Sequence, residues 1–155
     1  MNLILENSHQ VRFFTDVGLV IEALGIECSD YDWYVSDVET NIPCSELDGS
    51  GSGQWLTGAE LKSILTRGEM QFIWGVFSAV PKGLRPKITN APFADGNSKY
   101  WSDPGVKPQL AGAEFEIACW DSGATILVGI SDSQSDSFRA RFSDARSLIS
   151  KSRQL

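Results

Sequence analysis

EFEIACWDSGATILVGI, residues 114–130, is the stretch whose reading decides the fold. Phe115, Ile117 and Cys119 alternate with Glu114 and Glu116, the period of a strand with one apolar and one polar face. Asp121-Ser122-Gly123 is turn chemistry, and Ala124–Ile130 returns as a second apolar run. A connection this short leaves no room for a crossover helix, so the two strands must pair antiparallel.

Upstream, Met70–Val80 (MQFIWGVFSAV) is apolar at nearly every position. It reads as a central strand covered on both faces, or on one face with a second copy or a loop over the other. Pro81, which lacks an N–H, ends it. Residues 82–112 then hold four of the six prolines, with Phe93, Tyr100 and Trp101 among polar neighbours. So long a connection inside one domain is either functional or pinned by its aromatics.

Further back, Thr57-Gly58-Ala59-Glu60 has the form of a capping box, opening a helix with Leu61, Ile64 and Leu65 inward and Gly68 at its end. Asp30–Val38 alternates as a half-buried strand. Ser8–Leu24 carries Phe13, Val17, Val20, Ile21 and Leu24 at helical spacing, with Gly25 as the stop. Residues 2–5 read as a short opening strand. After the hairpin, Ser135–Lys151 reads as a last helix with Phe138, Phe142, Ala145, Leu148 and Ile149 inward. The order is β-α-β-α-β-β-β-α. It predicts one α+β domain over residues 1–155, a mainly antiparallel sheet with three helices. The 155 residues, 42% of them hydrophobic, suffice for one core.

Charge is unevenly placed. Residues 1–61 contain eleven acids and one base, Arg12, whereas residues 62–155 contain nine acids and twelve bases. No lysine or arginine occurs between Phe13 and Leu61. Such an acidic half argues against nucleic acid or an anionic membrane as its partner and favours a basic protein. The longest apolar run, around Phe72–Val80, is too short to span a bilayer. MNLILENS has no basic region and meets an acid at Glu6, so it does not read as a secretory signal. Cys28, Cys44 and Cys119, without paired spacing, fit reduced thiols in the cytoplasm, although sequence leaves a Cys28–Cys44 disulfide open.

Chemistry-bearing motifs are sparse. His9 is the one histidine and has no partner nearby in sequence. The Gly/Ser loop of residues 43–53 lacks the Lys-Ser/Thr of a phosphate-binding loop, since Gln54-Trp55 follows Gly53. Read as a calcium loop from Asp48, its twelfth position is Ala59 rather than a carboxylate. The pairs Asp30/Asp32, Asp37/Glu39 and Glu114/Glu116 each fall on one face of a strand, the arrangement of an acid/base pair or of an ordinary solvated face. No metal or cofactor is expected.

The block Phe115-Glu-Ile-Ala-Cys-Trp-Asp-Ser-Gly-Ala-Thr-Ile, the helix ending Phe142-Ser-Asp-Ala-Arg-Ser-Leu and the strand Tyr31-Asp-Trp-Tyr together resemble small acidic bacterial immunity proteins, which neutralise polymorphic or contact-dependent toxins. The resemblance implies a non-catalytic cytoplasmic protein that binds a basic toxin domain. The expected contact surface is Asp30, Asp32, Asp37, Glu39, Glu46 and Asp48, with Trp55 as apolar anchor. A small enzyme using carboxylates and a structural or homodimeric module are the competing readings.

Overall fold

The hairpin lies at the centre of the molecule. In the computed structural model, which describes residues 1–47, 52–68 and 70–148, Phe115–Trp120 (β5) pairs antiparallel with Ala124–Val128 (β6). On its other side β5 pairs with Phe72–Pro81 (β4), which pairs with Tyr31–Thr40 (β2). Leu3–Glu6 (β1) continues the sheet beyond β6. Gln54–Thr57 (β3) and Arg146–Ser147 (β7) close its two edges. The sheet is seven-stranded and antiparallel, in the order β3-β2-β4-β5-β6-β1-β7. The five expected strands are present. The two edge strands, four and two residues long, are too short to show an alternation.

One face of the sheet carries Val17–Ala23 (α1), Gly58–Leu65 (α2) and Asp132–Arg141 (α4). Phe115, Ile117 and Cys119 point into this core with Trp33, Val35, Phe77 and Leu127, meeting Val17, Ile21, Leu61, Ile64, Phe138 and Phe142. Phe115 is centred between Tyr31 and Trp33, edge-on to each at 5.4 and 5.9 Å. The capping box of α2 forms as expected: Thr57 Oγ1 accepts from the Glu60 N–H, and the Glu60 carboxylate accepts from the Thr57 N–H.

Two helices differ from the sequence reading. The first begins at Val17, where Asp16 caps the Leu19 N–H, and not at Ser8. Ser8 instead donates to Asp144, and Gln10 bonds Ser143 and Asp144, which lays residues 8–10 along the turn after α4. Side chains that satisfy a distant turn compete with helix formation there. The last helix starts early, under a Ser131–Gln134 capping box, and stops at Arg141. Phe142, Ala145 and Leu148 are buried, though from the turn after α4 and from the residues flanking β7, and Leu148 lies on the opposite face of the sheet from Phe142 and Ala145. Ile149 and Lys151 lie outside the described residues.

The opposite face is covered by residues 82–113, a strap containing one helical turn, Lys99–Ser102 (α3). Ala94, Tyr100, Val106 and Leu110 of the strap pack on Ile4, Tyr34, Val76, Val80, Ala118, Ile126 and Val128. The second apolar face of β4 is therefore met by the chain's own loop. Cys28, Cys44 and Cys119 are buried free thiols. No helix among the described residues is long and apolar enough to cross a membrane.

Candidate functional site: an aromatic and acidic surface at one end of the strap

The acids expected to form one surface are dispersed, and several are used internally. Asp32 is only 5% exposed: its Oδ2 accepts from the Gly83 N–H and from Arg85 Nε, each at 3.1 Å. It is therefore not part of an outward-facing surface. Burial opposes its ionisation, but the Arg85 guanidinium and the Gly83 N–H outweigh that cost and hold the carboxyl below its ordinary value. Asp37 is exposed at a bulge, with φ of +53°, and its Oδ2 accepts from the Ala94 and Asp95 N–H groups at 2.8 and 2.9 Å. Glu46 is paired with Arg67, which lowers its pKa to about 2. Trp55 lies edge-on to Tyr34 at 5.2 Å, with the Arg85 guanidinium 5.4 Å from its ring centre. Asp48 falls outside the described residues.

Asp30 and Glu39 remain exposed, at opposite ends of β2. Nine residues of extended chain separate them by roughly 30 Å, too far for one compact patch. The charge asymmetry of the sequence is in part a pairing pattern. Glu6–Arg146, Glu22–Arg141, Asp32–Arg85 and Glu46–Arg67 each join an acid of the first half to a base of the second.

Glu116 departs furthest from expectation. On the polar side of an alternating strand it should face solvent, but the strap covers that side and Glu116 is 0% exposed. Its Oε1 accepts from the Tyr100 hydroxyl at 2.9 Å and its Oε2 from the Gln109 N–H at 3.1 Å, while Gln109 Nε2 donates to the Tyr100 oxygen at 2.8 Å. Burial raises its pKa, opposed by the Gln109 and Tyr100 hydrogen bonds. With Ser36, whose hydroxyl donates to the Pro92 carbonyl at 2.7 Å, the sheet residues Asp32, Asp37 and Glu116 fasten the strap along its length. Glu114 stays exposed, so the Glu114/Glu116 pair is divided between solvent and the buried side of the strap.

At one end of this face three tryptophans meet. Trp74 of β4 and Trp120 of β5 stand edge to face with centroids 5.0 Å apart, and Trp101 of α3 is edge-on to Trp120 at 4.8 Å. All three are half-buried. Glu39 lies directly across from Trp74 in the β2–β4 register, and exposed Asp121 follows Trp120 in the hairpin turn. Sequence periodicity assigned Trp74 to the core and marked Trp101 as a loop aromatic. It did not single out Trp120, whose signal was its place beside a turn. A second acidic feature, a cleft of about 510 Å³ between α1 and α2, has Asp16, Glu22, Glu27 and Lys62 around Leu19, Ile26 and Leu65. There Asp16 is committed to its cap and Glu22 faces Arg141 at 3.9 Å.

No protein-family model, curated protein or solved structure matches this chain. The chemistry must therefore be read from the side chains alone. Burial moves the Cys28 thiol up to about 11 and raises those of Cys44 and Cys119, which disfavours the nucleophilic thiolate at neutral pH. Exposed His9 lies outside any helix. Among the described residues no three His, Cys, Asp or Glu side chains are grouped to hold a metal ion. Trp74, Trp101 and Trp120 with Glu39 and Asp121 offer a different capacity: aromatic surface able to pack apolar and cationic groups, beside carboxylates that attract the latter.

Proposed function

We propose that this chain is a non-catalytic protein-binding protein that docks a basic partner on the Trp74–Trp101–Trp120 surface, in the manner expected of an immunity protein holding a toxin domain. The observation that carries the reading is the clustering of three half-buried tryptophans, drawn from β4, β5 and the strap, beside Glu39 and Asp121. Tryptophan is the side chain most enriched among residues whose truncation costs a protein interface 2 kcal/mol or more, about thirtyfold in affinity. A lysine or arginine of the partner gains further attraction over an indole face. Carboxylates at the rim speed encounter with a basic surface and make it salt-sensitive.

The test is binding to the product of the adjacent gene and retention of partners from the native cytoplasm, at low and high salt. Wild-type chain is compared with Trp101→Ala and with the double variant Glu39→Lys/Asp121→Lys. The expected result is a retained basic protein, released by salt, whose association slows on charge reversal and whose dissociation quickens on loss of Trp101. Asp37→Lys is not an equivalent probe, because Asp37 also fastens the strap. If the adjacent product does not bind and nothing is retained at low salt, or if the variants retain the partner as well as wild type does, the proposal fails.

A further inference from the structure

A pocket of about 440 Å³ opens in the strap. Its lining includes Lys99 and Lys107, both exposed and neither ion-paired among the described residues, with Phe93, Asn97, Asp103 and Gln109. Asp103 is occupied in a turn, its Oδ1 accepting from the Gly105 N–H at 2.9 Å. The strap as a whole carries five exposed bases, Lys82, Arg85, Lys87, Lys99 and Lys107, against Asp95 and Asp103.

Phe93 is the unusual member. Its ring is among the few large apolar groups left exposed, at 48%. A single exposed apolar residue on a mobile loop would need no explanation. The backbone of Phe93, however, is clamped. Its N–H donates to Gln109 Oε1 at 3.0 Å, and its carbonyl accepts from Gln109 Nε2 at 2.9 Å and from Asn97 Nδ2 at 3.1 Å. Gln109 is itself held by Tyr100 and the buried Glu116. A relay of hydrogen bonds from the central strand thus fixes the backbone that carries an aromatic side chain in the wall of a pocket with two lysines unpaired among the described residues. That is the construction of a preorganised binding wall supported from beneath.

We infer that this pocket binds a small aryl anion, the ring packing on Phe93 and the anionic group meeting Lys99 and Lys107. The site borders the protein-docking surface, since Lys99 and Trp101 share α3, but anion binding there does not require that surface. Phenyl phosphate and benzoate, titrated separately into the full chain by calorimetry and by NMR, distinguish phosphate from carboxylate as the anionic group. Inorganic phosphate and benzyl alcohol supply the charge and the ring alone. At least one aryl anion is expected to saturate a single site, with both half-probes roughly tenfold weaker or worse. Lys99→Ala/Lys107→Ala and Phe93→Ala should each weaken it by roughly tenfold, and Lys87→Ala, outside the pocket, should leave it unchanged. The inference is overturned if neither aryl anion saturates in the millimolar range. It is equally overturned if inorganic phosphate binds as tightly as phenyl phosphate, or if the pocket variants bind as wild type does.

Discussion

Replacing Glu116 tests whether a buried carboxylate holds the strap to the sheet. The side chain has no exposure and accepts two hydrogen bonds, from the Tyr100 hydroxyl and the Gln109 N–H. Glu116→Ala leaves both donors without a partner, at about 1–3 kcal/mol each, and removes about 1 kcal/mol of buried methylene. The expected loss is about 3–7 kcal/mol. Glu116→Gln keeps the shape and one acceptor, so it should cost about 1–3 kcal/mol. The two forms also differ in pH dependence. Burial raises the folded-state pKa of Glu116 above its ordinary 4.5, so as pH rises the unfolded chain releases this proton first. Wild-type stability attributable to this group is complete below 4.5 and declines as pH rises through the folded value. Glutamine has no such proton, so its deficit relative to wild type should shrink with rising pH. Urea unfolding of wild type and Glu116→Gln, followed by tryptophan fluorescence from below pH 4.5 upward, reads the difference directly, since the other titrating groups are common to both. A deficit that stays constant or widens with pH would refute the reasoning.

Asp32 should behave with the opposite sign. Its folded carboxyl is held below 3.8, so its contribution is present above that value and lost as pH falls through the folded pKa; Asp32→Ala should cost about 1–3 kcal/mol near neutrality and progressively less in acid. The same urea measurement, extended into acid, checks it. Gly58→Ala should lower the melting temperature despite alanine's better helix propensity, because its Cβ would lie 2.1 Å from the Cys28 carbonyl oxygen and 2.5 Å from Ser29 Cα. Overpacking against backbone costs about 1–3 kcal/mol or more, and an unchanged melting temperature would contradict that contact. All three cysteines should resist a thiol reagent in the native protein at neutral pH and react fully in denaturant; rapid native labelling of any one would contradict its burial.

Legibility in the sequence followed the range of the interactions involved. The 114–130 hairpin, the two-sided strand around Trp74 and the Thr57–Glu60 capping box each rest on residues close in sequence, and each forms. The helix expected from Ser8 fails because Ser8 and Gln10 are spoken for by Ser143 and Asp144, more than a hundred and thirty positions away. The site was less legible than the fold. Asp32 and Glu46 looked like free surface charge because their bases, Arg85 and Arg67, lie 53 and 21 residues downstream. The three tryptophans carry no common period, since they come from two strands and a loop.

By itself the sequence determined that a central antiparallel hairpin would carry an apolar strand beside it and helices on one face. Alternation and capping are local effects that act within a few residues. Only the tertiary structure decided whether the polar side of the sheet meets water. Residues 82–113 fold back over the polar side, so Glu116 is buried rather than solvated and the strap becomes a second layer with its own pocket. The physical reason is that a strand's period states which residues share a face. Whether that face is covered depends on groups brought from elsewhere in the chain, here the Gln109 N–H and the Tyr100 hydroxyl, to replace the water it loses.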